Sequence, residues 1–430
     1  MNSQTKGGPK TGSTVTAAFI AVTTLFFAWG FITSLIDPLV AAVKGIFTLS
    51  NAEAQLSASA FFIAYGLISF PAAVLIARWK AVPAILIALC MMVAGCLVML
   101  GAANIANYSI VLLGLFVLAS GITVLQVAAN PLAAALGEPK GSHFRLTLAQ
   151  TFNSFGTFIG PYMGAVLFLT GLEVAEGTVV TEEARQNALL GIDTAYVWIC
   201  ALLLALLAFF YVSRKTVAAA APEPAPDKGI GAMISDAFSS KWCLLGGAAI
   251  FLYVGAEVAI GTQMAFFLND ESVWGVSLEQ AGKAVSFYWG GAMVGRAIGS
   301  FLLSRFPAAK LLMLFTAIAC AMVLYVVAVG GVSAGYVALS IGLFNSIMFP
   351  VIFTLTLERS TASDQATSGF LCTSIVGGAA IPPLVGLLSD STGLVTALLL
   401  PALCYALLCV FAWKASRTPA LHEVEATSAH

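Results

Sequence analysis

Charge is what this sequence has least of. Nineteen Lys and Arg and twenty Asp and Glu make up 9% of its 430 residues, against 60% hydrophobic ones. Soluble domains carry roughly 25% charged residues. Too few are present here to coat a water-facing surface of this length, which excludes a soluble globular enzyme. A disordered chain, which needs high charge and low hydrophobicity, is excluded as well. A net charge of −1 supplies no basic field for nucleic acid. Histidine is scarce too. His143, His422 and His430 fall in a loop and the tail, so no histidine can relay protons inside an apolar segment. The eight cysteines (Cys90, Cys96, Cys200, Cys243, Cys320, Cys372, Cys404 and Cys409) lie in apolar segments without metal-ligand spacing to a histidine, and read as small core residues. Neither a metal site nor a cofactor is expected. No apolar segment carries a Ser/His, His-Glu-x-x-His or paired-Asp arrangement suited to a membrane-embedded enzyme.

Apolar length is abundant instead. A transmembrane helix needs about 20 mostly apolar residues. Twelve such spans are read at 18–43, 52–76, 82–103, 108–135, 147–170, 193–213, 242–268, 280–304, 309–329, 334–357, 366–388 and 394–413. They are too long for barrel strands and lack a polar/apolar alternation. Of the nineteen basic residues, Arg296 lies within a span, and Arg185, Lys44 and Lys283 fall on one side. The other fifteen, among them Arg78, Lys80, Arg214, Lys215, Lys241 and Lys414, fall on the opposite side. The opposite loop after span five is acidic (Glu173, Glu176, Glu182, Glu183). The positive-inside rule then places both termini in the cytoplasm of a bacterial-type inner membrane. No cleavable signal is evident, since the first residues are polar and the apolar run after them is too long for a signal core.

The chain divides into a tail (1–17), a six-helix half (18–213), a cytoplasmic linker (214–241), a second six-helix half (242–413) and a tail (414–430). The linker is Pro/Ala-rich from Val217 to Ser240 and reads as semi-extended. The halves echo each other. Gly156, Pro161 and Gly164 of span five match Gly378, Pro383 and Gly386 of span eleven at a constant offset, and span four has Pro131 after Asn130 as span ten has Pro350 five residues after Asn345. Repeated six-helix halves are the mark of transporters that rock around a midplane site. The ridges Gly156/Gly160/Gly164 on span five and Gly291/Gly295/Gly299 on span eight let backbones approach closely. They read as a sliding surface between halves, with static packing inside each half as the alternative.

Charge within a span marks function. Asp37 precedes Pro38, whose missing N–H frees the carbonyl of Ser34. With the hydroxyls of Thr33 and Ser34 on the same face, that set suits a small cation, either a proton on the carboxylate or sodium. The alternative is a carboxylate reaching outward to the membrane surface. Glu257 sits in mid-span, Arg296 nearer the cytoplasmic end of span eight in a structural position, and Glu358 at a span end as a gate or a solvated terminus. Gln126 and Asn130 share a face of span four, Gln150 and Asn153 a face of span five, and Asn345 lies in span ten. Carboxamides donate and accept, as a neutral polyhydroxylated ligand requires, whereas an anionic one would call for more intramembrane Arg or Lys. Trp29, Phe62, Tyr65, Tyr288 and Trp289 could stack on the apolar face of a sugar. Interhelical amide contacts and plain packing are the alternatives for these residues.

The chain resembles the fucose/glucose/galactose:cation symporters of the major facilitator superfamily over nearly its whole length. Phe26-Phe-Ala-Trp-Gly-Phe-Ile-Thr-Ser-Leu-Ile-Asp37, Leu125-Gln-Val-Ala-Ala-Asn-Pro131 and the stretch Phe144 to Gly156 are similar to the family's first-, fourth- and fifth-helix motifs. Gly255-Ala-Glu-Val-Ala-Ile-Gly261 and Phe344-Asn-Ser-Ile-Met-Phe-Pro350 look like the glucose/galactose branch. The resemblance implies an all-α integral membrane protein of the major facilitator fold, with twelve helices in two pseudo-symmetric halves and spans five and eight facing each other. It implies that Asp37 is the coupling carboxylate and that Asn153 and Gln126 line the sugar site. The fucose:proton branch has a glutamate at the position of Gln126, so the glutamine favours the glucose/galactose branch. Only Ala77-Arg-Trp-Lys80 remains of the superfamily motif between spans two and three.

The expectation is a cation-coupled symporter, driven by protons or sodium, that imports glucose or galactose. Gln126, Asn130, Gln150, Asn153, Glu257 and Asn345 would hydrogen-bond the sugar, with the lipid bilayer as surroundings and no obligate protein partner. An N-acetylated hexosamine or fucose is the rival substrate, and a non-transporting membrane sugar sensor the rival class.

Overall fold

The computed structural model describes residues 12–136, 142–170, 172, 181–221, 229–303 and 305–421. Among these residues every regular element is a helix. The first half comprises α1 (Gly12–Ser34) with α2 (Ile36–Phe47), α3 (Asn51–Trp79), α4 (Ala81–Ile105), α5 (Tyr108–Ala135), α6 (Ser142–Phe168) and α7 (Glu182–Ala220). A short α8 (Ile230–Ser239) follows. The second half comprises α9 (Lys241–Asn269), α10 (Leu278–Leu303), α11 (Ala308–Val329), α12 (Gly331–Asn345) with α13 (Met348–Leu357), α14 (Asp364–Thr373) joined by a 3₁₀ turn to α15 (Gly377–Thr392), and α16 (Leu394–Ala397) with α17 (Leu399–Arg417). These make the twelve expected spans. Ten are long and apolar enough to cross a bilayer among the described residues. The other two, α6 and α10, have crossing length, 27 and 26 residues, and their mean hydropathy is lowered by polar residues such as Gln150, Asn153, Lys283 and Arg296. Large side chains such as Leu97, Trp198, Val212 and Phe287 project outward, more than half exposed, an arrangement that only lipid would tolerate over so much surface.

Prolines set where spans break. The residue four before a proline loses its helical donor. α1 ends at Ser34, four before Pro38; α16 ends at Ala397, four before Pro401; and the break between α12 and α13 falls at Ser346, four before Pro350. Pro71 and Pro161 are accommodated inside continuous helices. Helix starts are capped by Ser50 in a capping box with Glu53, and by Asn107, Thr181, Ser240 and Ser363.

Two expectations change. The stretch read as a semi-extended linker is helical at both ends: α7 runs on to Ala220, and α8 docks on α14 through Asp236, which accepts from Ser363 N at 3.0 Å and Ser363 Oγ at 2.5 Å. The alanine run continues the preceding helix because alanine is the best helix former. Residues 222–228, like Glu173 and Glu176 of the acidic loop and most of both tails, lie outside the described residues. The glycine ridges, in turn, do not face each other. A Cβ on Gly156 would stand 2.6 Å from Phe31 N, and one on Gly164 3.0 Å from Leu35 Cδ2, so the span-five ridge packs on span one. On Gly291 it would stand 3.1 Å from Leu343 N, and on Gly295 2.8 Å from Ser346 Cβ, so the span-eight ridge packs on span ten. Both ridges hold helices within one half. Spans five and eight do meet, through Gly282 against Ala165, Gly290 against Phe158 and Arg296 against Ser154. Span eleven brings glycine to the other half, with Gly378 against Phe62 and Gly386 against Ala52 of α3.

Candidate functional site

Between the halves lies a cavity of about 1750 Å³. Its mouth is bounded by Trp79, Lys80, Arg214, Lys215 and Asp236, at the ends of α3 and α7 and on α8, so it opens on the basic face. On the acidic face the halves are closed. Asp390 at the end of α15 accepts from the backbone N–H groups of Asn51 and Ala52 at 2.9 and 3.0 Å, and Asn51 Nδ2 donates to Ser389 Oγ at 3.3 Å. Those donors are the unpaired N–H groups at the start of α3. Lys44 Nζ donates to Asn51 Oδ1 at 2.6 Å. Deeper, Thr262 Oγ1 donates to Gln55 Oε1 at 2.8 Å, and Ser59 Oγ donates at 2.7 Å to the carbonyl of Ala379, which Pro383 leaves without a helical donor.

Asp37 lies at the closed end of the cavity, in the first turn of α2 just beyond the break, and is 4% exposed. Trp289 Nε1 of α10 donates to its Oδ2 at 2.5 Å. A Cβ on Gly261 of α9 would be 3.3 Å from Asp37 Oδ1 and 3.4 Å from the Trp289 ring. A carboxylate of one half is therefore enclosed by two helices of the other. Ser34 and Thr33 also line the cavity; Ser34 Oγ donates to Phe31 O at 3.0 Å, while Thr33 Oγ1 is buried without a partner. Asp37 points inward rather than to the membrane surface.

The first half presents its carboxamides to the cavity. Gln126 Nε2 donates to Tyr65 Oη at 2.7 Å, and Gln150 Nε2 to Asn130 Oδ1 at 3.3 Å. Asn153 Nδ2 donates to the carbonyl of Phe26 at 3.1 Å, an approach that Gly30 permits, since any Cβ there would collide with Asn153. All four amides line the cavity, with Trp29, Phe62 and Tyr65. From the second half come Trp289, Glu257 and Arg296. Glu257 Oε1 accepts from Tyr253 Oη at 2.6 Å. Arg296 lines the cavity and donates to Ser154 of the other half.

Asn345 and Tyr288 are placed elsewhere. Asn345 is fully buried and outside the cavity lining. Its Nδ2 donates to Tyr288 Oη and its Oδ1 accepts from Tyr405 Oη, each at 2.8 Å, while its carbonyl faces Tyr253 Oη at 3.1 Å. Every polar atom of this side chain is engaged within the second half, behind Glu257. Glu358 is half-buried at its span end: Arg359 Nη1 donates to it at 2.8 Å, and the same guanidinium reaches Ala415 O and Thr418 O, tying span ten to span twelve. All eight cysteines are free; Cys90 is exposed on the lipid side and the rest are buried or half-buried. Sequence reasoning missed the closing residues Gln55, Ser59, Thr262 and Asp390. Their signal was legible as a polar stripe at four-residue spacing, Asn51, Gln55 and Ser59, on one face of span two.

The family model for the Major Facilitator Superfamily matches residues 18–370. The chain is 39% identical over 402 residues to the glucose/galactose transporter of Brucella abortus, covering 93% of this chain and 94% of that one. It is 33% identical over 417 residues to the L-fucose-proton symporter of Escherichia coli, covering 93% of each. Among solved structures it is similar to the major facilitator superfamily transporter FucP in the outward conformation, with a TM-score of 0.69, 30% identity and coverage of 94% of this chain and 100% of that one.

Proposed function

The chain belongs to the major facilitator superfamily, and from that premise we propose that it is a secondary active, cation-coupled symporter of a neutral hexose, glucose or galactose, working by alternating access. Its place is a bacterial inner membrane, with the basic face and both termini cytoplasmic, so that the state described above is inward-facing. The observation that carries the reading is the contact of Asp37 with Trp289. A single buried carboxylate joins the two halves at the closed end of a cavity lined by carboxamides. An ionised carboxylate without a counter-charge is costly in a closed, low-dielectric state. A proton or a sodium ion on Asp37 removes that cost and lets the halves reorient. Hydrogen bonds from Gln126, Asn130, Gln150 and Asn153 hold the hydroxyls, Glu257 accepts from them on the opposite wall, and Trp29, Phe62, Tyr65 and Trp289 cover the apolar face of the ring. Gln126 in place of a carboxylate supports glucose or galactose over fucose. The preference of the sugar for one state over another drives the change.

Sealed proteoliposomes with imposed proton or sodium gradients test this. Labelled glucose or galactose should accumulate with one of the two gradients and exchange in counterflow without either. Binding without counterflow would contradict transport, and preferred uptake of fucose or N-acetylglucosamine would contradict the substrate.

A further inference from the structure

Asn51, Gln55 and Ser59 stand four residues apart on α3, and each is hydrogen-bonded to the second half. Gln55 differs from the other two. It is fully buried, yet its Nε2 has no hydrogen-bond partner. A buried donor left unpaired costs about 1–3 kcal/mol. A residue whose only task was to close the halves could be apolar and avoid that cost.

The bond that Gln55 does make is unequal at its two ends. Thr262 Oγ1 lies 2.8 Å from Gln55 Oε1 and 2.9 Å from the carbonyl of Val258, one turn back in its own helix. When the halves part on the acidic face, the threonine hydroxyl keeps a partner on α9. Gln55 keeps none. Separation leaves a whole carboxamide, with two donors and an acceptor, facing the opened path on the helix that also carries Tyr65 into the cavity. In the closed state a hydroxyl already occupies the carbonyl end of that group. Gln263, next to Thr262, also has unpaired amide atoms, but it faces Val323, Ile341 and Leu398 inside the second half, away from the path.

We propose that Gln55 is a sugar-binding residue of the state open on the acidic face, where a hexose hydroxyl replaces the Thr262 hydroxyl at Oε1 and a sugar oxygen accepts from Nε2. This outer subsite vanishes when the halves close, and it rests on the hexose-transport reading above.

The test compares Gln55→Leu with Thr262→Val, measuring half-saturation for glucose and galactose from each face in right-side-out and inverted vesicles. Both variants break the same bond between the halves. Thr262→Val keeps the carboxamide and weakens only the closed state, so half-saturation from the acidic face should fall. Gln55→Leu also removes the sugar contact, so the same quantity should stand about ten-fold above its value in Thr262→Val, equivalent to one or two neutral hydrogen bonds, while half-saturation from the basic face should match that of Thr262→Val, since both lose the same closing bond. That matching value also shows the variant to be folded. Gln55→Met, of matching length, takes its place if the leucine variant does not fold. Acidic-face half-saturation of Gln55→Leu or Gln55→Met equal to or below that of Thr262→Val makes Gln55 a closing contact only and overturns the proposal. Wild-type protein that moves no hexose overturns the transport reading beneath it, a separate and earlier result.

Discussion

The two halves use the same residue types in opposite ways. In the first half, Gln126, Asn130, Gln150 and Asn153 face the cavity, with Gln126 donating to Tyr65 Oη, Gln150 to Asn130 Oδ1 and Asn153 to Phe26 O. In the second, Asn345 is enclosed by Tyr253, Tyr288 and Tyr405, and Glu257, Arg296 and Trp289 line the cavity. Each aromatic hydroxyl of the inner group bonds Asn345 or the backbone around it. The first half thus offers the carboxamide surface that the proposed reading assigns to a neutral ligand. The second is a wall stiffened by a satisfied polar network, which brings two charges and one indole N–H to the interface. Recurrence of sequence pattern between the halves does not carry recurrence of role.

Substitutions can break that contrast. The largest effect on stability is expected from Asn345→Ala. It strands the hydroxyl of Tyr405 and empties space in a dry interior, while the Tyr288 hydroxyl keeps the carbonyl of Glu257 as acceptor, at about 2–4 kcal/mol, and should lower the unfolding midpoint in detergent by about 5 °C or more while leaving a sugar-induced upward shift in place. Asn153→Ala should do the reverse, with a smaller change in the midpoint and loss of the sugar-induced shift. A retained shift would remove Asn153 from the site. Gly160→Leu sharpens the packing side of the comparison. A side chain there meets Phe31 and Ser34 beside the break in span one and should cost about 1–3 kcal/mol by overpacking, whereas Gly101→Ala, with open space around it, should leave the midpoint unchanged. The smallest effect belongs to Asp390→Ala at the exposed rim. Spin-label distances across the acidic face should shift toward the open population only a few-fold, as an exposed charge-assisted contact warrants.

Much of this was legible in the sequence because bilayers constrain chains strongly. The scarcity of charge, the span boundaries and the side bearing Lys and Arg all follow from hydrocarbon length and charge placement. Pro38 and Pro350 marked breaks through a missing N–H, and the breaks are there. The amide pairs at four- and three-residue spacing, Gln126 with Asn130 and Gln150 with Asn153, do face the cavity together. What spacing could not convey is the partner across a helix pair. Gly156, Gly160 and Gly164 declare a close approach without saying to what, and the approach is to span one. Asn345 carries the same chemistry as Asn153, but three tyrosines distant in sequence decide that it faces inward. The alanine run after Val217 reads as linker beside its prolines and is helix up to Ala220, because propensity acts residue by residue until the first proline. Closing residues were missed for a related reason: the stripe Asn51, Gln55 and Ser59 declares a polar face of span two, but its partners Thr262, Ala379 and Asp390 lie far away in sequence.

Asp37 is where both halves, the helix break and the cavity converge, and Asp37→Asn isolates its role. The amide keeps the shape and can still meet Trp289 Nε1 through its oxygen, but it can neither take up a proton nor balance a sodium ion. In proteoliposomes, the variant should exchange labelled hexose in counterflow at a rate near that of the wild type while accumulating none against a gradient. Full concentrative uptake by Asp37→Asn would contradict the assignment of this carboxylate as the coupling group.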